Sequence, residues 1–245
     1  HAEIEFTDNW VEDSSRRDFT VNAIYLNIKG EIFDPQLGLS DLKKNKIKFI
    51  GDPNKRIQED YLRIIRFIRF SLEYSSEVDK TNIEAIKLNL DGIKIISKER
   101  IILELIKILK LKNFLNILNQ SSLKEIFSLI FPEIRYLNRL SRLNIVLKNF
   151  DFSTKNLLAI LLIDEKDNHD YFSHKYNISN NLRLDINLKA KNFKDLQNNS
   201  KFFKKDLKKN IFYHGKEHIL FLNLMNFVIN KNFKYSEFKK IQKNI

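Results

Sequence analysis

Two of the three prolines and four of the five glycines lie before residue 93, and this asymmetry constrains the fold more than any other feature. Glycine and proline are the strongest interrupters of regular structure. The remainder, nearly free of them, carries Leu, Ile and Phe at spacings of three and four with Asn- and Ser-rich breaks, the pattern of amphipathic helices. The pattern predicts helices near 55–75, 80–90, 97–110, 112–119, 122–130, 134–149, 154–163, 168–176, 180–196, 199–209 and 214–230. The front reads differently. Residues 1–6 alternate apolar and acidic as a half-exposed strand does, and Trp10 to Arg16 starts a short helix with acids first and Arg last. Residues 19–28 are expected as a strand, Lys29-Gly30 as a turn and Glu31 to Phe33 as the returning strand. Gly38 to Leu42 is a turn or short helix, residues 46–50 another short strand, and Pro53 suits a first helical position. The expected fold class is α+β, mostly α: a small β-containing head followed by an all-helical array.

The 43% apolar fraction supports a real core. Cysteine is absent, which excludes disulfides and thiolate metal sites and fits a reducing cytoplasm. The longest apolar run, Leu157 to Ile163, falls far short of the ~20 residues that span a bilayer, so no membrane association is expected. The net charge of +12 is uneven: residues 1–75 hold twelve Lys plus Arg against thirteen Asp plus Glu, leaving +13 on the rest. A basic second portion suits a polyanion such as RNA, and equally suits lysines on solvated faces.

Residues 59–70, E-D-Y-L-R-I-I-R-F-I-R-F, place Asp60, Arg63, Arg66 and Arg69 three apart. On one helix such side chains are neighbours, so Asp60 and Arg63 are expected to face the same object, with Arg66 and Arg69 extending a cationic face. Leu62, Ile65 and Ile68 seat the other face. The plain alternative is a surface helix with Glu59–Arg63 as an i,i+4 ion pair. Arginine usage weighs against it: of eleven Arg beside thirty-two Lys, six lie before residue 75. Arg is kept over Lys where a planar, bidentate donor is needed, as for phosphate or a base edge.

Four segments then resemble a known family. Arg16-Arg17-Asp18-Phe19-Thr20-Val21-Asn22-Ala23 is similar to the R-R-D-F-T-x-N-A signature of the tRNA nucleotidyltransferase/poly(A) polymerase family, bacterial class II type. Asp34-Pro35 with Gly38 and Asp41-Leu42 resembles its D-P-x-G-G-x-x-D-L motif, with Leu37 where the first paired glycine is usual. Glu59-Asp60-x-x-Arg63-x-x-Arg66-x-x-Arg69-Phe70 resembles E-D-x-x-R-x-x-R-x-x-R-F, and Ser97-x-Glu99-Arg100-Ile101-x-x-Glu104-Leu105 the segment after it. The resemblance implies a nucleotidyltransferase head (here 1–52, its C-terminal part), a helical neck with the base-reading helix (53–120) and a helical body and tail (121–245). It implies template-independent addition of C and A to tRNA 3′ ends from CTP and ATP with Mg²⁺. Arg17 would meet phosphates and Asp18 the ribose. Asp60 and Arg63 would pair with the base edge, and Arg66 and Arg69 would complete the pocket.

The family's metal-binding D-x-D lies upstream of R-R-D-F-T, and here only fifteen residues precede Arg16. Glu3 with Glu5 and Glu12-Asp13 read most simply as solvated surface. The expectation is therefore an N-terminally truncated piece holding the nucleotide pocket without catalytic or metal residues. Poly(A) addition, or a non-catalytic RNA-binding remnant or half of a split enzyme, are the alternative readings. Lys204, Lys205, Lys208 and Lys209, interleaved with Phe202, Phe203, Phe212 and Tyr213, are candidates for an RNA surface. There the aromatics are expected in the core, with the lysines free to track phosphates. His214 with His218, and His169 with His174, lack a third ligand for a metal.

Overall fold

The computed structural model describes residues 9–146 and 153–245, so the strand expected over 1–6 lies outside the described residues. The chain forms two compact units, His1–Ile130 and Phe131–Ile245.

The first unit opens with α1 (Trp10–Arg16), capped by Asn9 Oδ1, which accepts from the N–H groups of Val11 and Glu12. A 3₁₀ turn, Thr20–Ala23, leads into the antiparallel hairpin β1 (Tyr25–Leu26) and β2 (Ile32–Phe33), with Tyr25 opposite Phe33 and Leu26 opposite Ile32. Gly30, at φ +83°, supplies the turn. The strand expected over 19–28 is thus cut to two residues. Its first half coils because Asp18 Oδ1 accepts from the Phe19 N–H and from Asn22 Nδ2, local bonds that compete with a ladder. The strand expected at 46–50 is reduced to isolated bridges, Phe19 with Phe49 and Lys46 with Glu77.

Helix α2 (Gly38–Lys43) starts where both oxygens of Asp34 accept, from the Gly38 N–H at 2.7 Å and the Leu39 N–H at 2.9 Å. Leu37, just before it, keeps a left-handed conformation (φ 57°, ψ 30°) that glycine adopts more cheaply. A Cβ on Gly38 would lie 2.2 Å from the Thr20 carbonyl oxygen, so only glycine lets α2 approach the 3₁₀ turn.

Asp52 caps α3 (Pro53–Glu59), and α4 (Leu62–Glu73) follows after a break. The single helix expected over 55–75 is therefore two. Asp60 ends α3 in an extended conformation (φ −156°, ψ 102°), and its Oδ1 accepts the Leu62 N–H at 3.1 Å. Aspartate favours helix ends because its short carboxylate satisfies such orphan donors. Then come α5 (Lys80–Leu88), a 3₁₀ turn Leu90–Ile95, α6 (Lys98–Leu109), a 3₁₀ turn Phe114–Asn119 in place of the helix expected at 112–119, and α7 (Ser121–Ile130). Helix α4 buries Leu62, Ile64, Ile65, Phe67, Ile68 and Leu72 and packs on α6, which contributes Leu105 and Ile108. Each such side chain contributes about 1.5–3 kcal/mol by leaving water.

The second unit comprises α8 (Arg139–Val146), α9 (Thr154–Leu162), α10 (Asn168–Lys175), α11 (Asn180–Asn198), α12 (Leu207–His214), α13 (Lys216–Ile229) and α14 (Tyr235–Asn244). The apolar α13 is its centre, packed by α8, α9, α11, α12 and α14. The helix expected at 199–209 begins only at Leu207. Upstream, Asn199 bonds the Lys201 N–H through Oδ1 and Asp206 through Nδ2, which holds the chain in turns. The helix expected from 134 begins at Arg139, and α14 was not foreseen. Among the described residues no helix is long and apolar enough to cross a membrane.

Candidate functional site

Asp18, Asp60, Arg63 and Arg66 line one open depression of about 520 Å³ in the first unit, with Arg16, Arg17, Asn22 and Arg100 beside them. Aromatic packing brings the segments together. Phe19 lies 4.9 Å from Phe49 and 5.4 Å from Phe70 between ring centroids, and Phe49 stacks on Phe67 at 5.6 Å. The Ile50 N–H donates to the Asp18 carbonyl and the Thr20 N–H to that of Lys48. Asp18 is thereby held, buried, against α4, where Arg66 Nε donates to its Oδ2 at 2.5 Å. Burial alone raises the pKa of this carboxyl. The bonds from Arg66 and Asn22, the Arg66 charge and the Phe19 N–H outweigh it and hold the carboxyl below its ordinary value.

Asp60 reaches the depression from the α3–α4 break, not from within a helix, with Oδ2 accepting from Arg100 Nη2 at 2.7 Å. Arg63 is anchored by Nη1, which donates to the Arg56 carbonyl at 2.7 Å and to Glu59 Oε2 at 2.5 Å. Among the described residues its Nε and Nη2 have no partner. Burial raises the Glu59 pKa, while bonds from Arg63 and Arg56 and their charges bring it below its ordinary value. Arg17 is paired with Asp13 at 2.6 Å, and Tyr25 Oη donates to the same oxygen. Arg69 does not line the depression. Its Nε donates to the buried Glu104 at 2.9 Å, and its guanidinium sits 4.0 Å from the Phe70 ring centroid. The cationic face expected along α4 is thus divided between two acids, Asp18 and Glu104. The sequence reading gave no role to Arg100 or Asn22, although both stand inside the quoted motifs.

Five guanidiniums line the depression and each has an acid partner, Arg16 with Glu12, Arg17 with Asp13, Arg63 with Glu59, Arg66 with Asp18 and Arg100 with Asp60, so what marks it is a cluster of planar donors of the kind that suits phosphates and base edges. Larger cavities of about 920 and 900 Å³ lie in the second unit. The first of them balances Arg139, Lys166, Lys191 and Lys194 against Asp164, Glu165, Asp167 and Asp170, which selects neither sign of ligand. Chemistry rather than volume therefore picks out the smaller depression. Also in the second unit, Lys204, Lys205, Lys208 and Lys209 are exposed. Phe202 is buried as expected, but Phe212 and Tyr213 are 84% and 68% exposed, contrary to the core placement expected for them. His214 and His218 share Asn192 Nδ2 as a partner, and among the described residues no group of three or more His, Asp or Glu is placed to hold a metal ion.

Residues 1–48 match the family described as poly A polymerase head domain, and residues 77–137 that described as probable RNA and SrmB-binding site of polymerase A. Over 231 residues the chain is 31% identical to the CCA-adding enzyme of Staphylococcus haemolyticus, covering 94% of this chain and 56% of that relative. In sequence the chain is similar to the class II tRNA nucleotidyltransferases. The mitochondrial CCA tRNA nucleotidyltransferase 1 of Mus musculus, another relative, is 46% identical over 112 residues, 44% of this chain and 26% of its own. The chain thus spans about a quarter to just over half the length of these relatives. The fold is that of the Bacillus stearothermophilus CCA-adding enzyme in complex with CTP, with a TM-score of 0.69 at 21% identity over 97% of this chain and 60% of that one. In nucleotidyltransferase terms, the R-R-D-F-T and E-D-x-x-R motifs meet at one depression, held together by the Asp18–Arg66 pair.

Proposed function

We propose that this chain reads the incoming base and holds the RNA for a template-independent nucleotidyltransferase that adds C and A to tRNA 3′ ends from CTP and ATP. The observation that carries this reading is the convergence of Asp60 and Arg63, each anchored, on one arginine-lined depression. The Asp60 carboxylate accepts from the exocyclic amine of cytosine or adenine, while Arg63 Nε and Nη2 donate to the neighbouring ring acceptors. Guanine and uracil set a carbonyl oxygen against Asp60. Arg16 and Arg17 lie at the same depression and suit the phosphates. Asp18, engaged by Arg66, Asn22 and Phe19, holds Arg66 in place as well as facing the ribose, and Arg69 supports the pocket from outside through Glu104.

Among the described residues no group of three or more His, Asp or Glu is placed to hold the Mg²⁺ that the family implies. The chemistry these residues supply is recognition of nucleotide and RNA. Lys204, Lys205, Lys208 and Lys209, with Phe212 and Tyr213, offer an RNA contact by phosphate pairing and stacking. The cysteine-free composition supports a reducing, cytoplasmic setting.

Titration calorimetry with the four ribonucleoside triphosphates tests the reading. CTP and ATP are expected to bind about tenfold or more tighter than UTP and GTP, within the range of single base-edge contacts. Equal affinity for all four overturns it.

A further inference from the structure

We propose that Arg100 is a positioning residue for base selection, fixing the Asp60 carboxylate in the orientation that reads an exocyclic amine. The inference rests on the base-reading role of Asp60 and assigns what holds that side chain. Asp60 is pinned at both oxygens, one by a near neighbour and one by a distant residue: Oδ1 by the Leu62 N–H at 3.1 Å and Oδ2 by Arg100 Nη2 at 2.7 Å. A carboxylate accepts at about four lone-pair positions, so two bonds stop its rotation and still leave acceptors for a base.

Arg100 arrives from a rigid element. It stands in the first turn of α6, whose cap is Ser97. The same helix carries Glu104, which Arg69 of α4 clasps at 2.9 Å, tying α6 to α4, while Lys107 one turn on in α6 holds its other oxygen at 2.7 Å. Arg63 is held in the same manner by the Arg56 carbonyl and Glu59. Both readers of the base edge are therefore fixed before any nucleotide arrives, which is what selection by hydrogen-bond pattern requires. An arginine at this place in a lysine-rich chain, where it is the rarer cation, suits the role because its donors are fixed in one plane and those of a lysine ammonium are not. With Arg100 and Asp60 side chains 50% and 33% exposed, the pair adds little to stability, so its removal leaves the fold intact.

The test measures binding of CTP, ATP, UTP and GTP, and of inorganic triphosphate, to the whole chain and to Arg100→Ala, Arg100→Gln and Arg100→Lys, with circular dichroism to check the fold. The preference for CTP over UTP is expected to fall about fivefold or more in Arg100→Ala and Arg100→Gln, the low end of one base-edge contact, with partial recovery in Arg100→Lys. In an Asp60→Ala background, Arg100→Ala should leave the remaining ratio unchanged. A loss equal for all four nucleotides and for triphosphate means that Arg100 contributes only charge, and overturns the inference. So does an unaltered preference in Arg100→Ala while the unsubstituted chain discriminates. If the unsubstituted chain shows no preference at all, the base-reading role of Asp60 fails first and this inference falls with it.

Discussion

Arg66 Nε donates to Asp18 Oδ2 at 2.5 Å across forty-eight positions of sequence, joining the loop after α1 to the helix that ends in the Phe70 aromatic cluster. Side-chain exposures of 7% for Asp18 and 29% for Arg66 make this a mostly buried pair. Arg66→Ala is expected to cost about 2–3 kcal/mol, below the range for fully buried pairs because Arg66 is partly solvated. The measurement is urea unfolding followed by Trp10, the single tryptophan, whose ring lies 5.5 Å from that of Tyr25 in the same unit. Asp18→Asn combined with Arg66→Ala should cost clearly less than the sum of the two.

Acid stability follows from the same pair. The folded Asp18 carboxyl titrates below its ordinary value, so the unfolded chain takes up this proton first. The stabilisation is fully present above the unfolded value of about 3.9 and is lost as pH falls through the folded one. Asp18→Asn should flatten the pH dependence of unfolding in that window. An acid limb of the same steepness in both proteins would contradict the assignment.

Asp60→Ala removes the acceptor and leaves the cations. Discrimination of CTP from UTP should drop by about 1–3 kcal/mol, with a smaller loss of overall affinity. Calorimetry on both nucleotides separates the two effects, and an undiminished C and A preference would count against the role given to Asp60.

Leu37 stands in the left-handed region with its side chain 69% exposed, so it carries backbone strain without compensating burial. Leu37→Gly should raise stability by about 0.5–1 kcal/mol, the relief of strain less the added entropy of an unfolded glycine. Thermal unfolding of the two proteins shows the sign directly.

Lys208 and Lys209 lie exposed on α12 beside Phe212. Replacing both lysines with alanine should lower the slope of log affinity for tRNA against log salt by about 1–2. Phe212→Ala should weaken binding by about 1–3 kcal/mol if a base stacks there. Filter binding over a salt series reads both, and tRNA affinity indifferent to all three changes would remove this surface from the RNA contact.

Local sequence carried much of this protein. The apolar spacing marked most helices of both units, Lys29-Gly30 marked the hairpin turn, and the four motif segments marked the resemblance to nucleotidyltransferases. These features depend on residues within a few positions of one another, where periodicity and capping chemistry act. The break at Asp60 was within the same reach, since an aspartate before Leu62 is a cap, but the regular spacing of the arginines masked it.

What three-dimensional packing alone decided is which charges meet. The Glu59–Arg63 pair lay within reach of i,i+4 spacing, but Arg66 and Arg69 also draw on distant acids: Arg66 on Asp18 from the loop after α1, and both on Glu104 from α6. Partners thirty-five and forty-eight positions apart are set by how the Phe cluster and the α4–α6 contact close. The same holds for Phe212 and Tyr213, whose spacing suits a core that the unit fills with other side chains. A linear pattern states what each side chain is able to bond, and only the folded arrangement selects the partner, because a buried charge must find its counter-ion wherever packing has placed one.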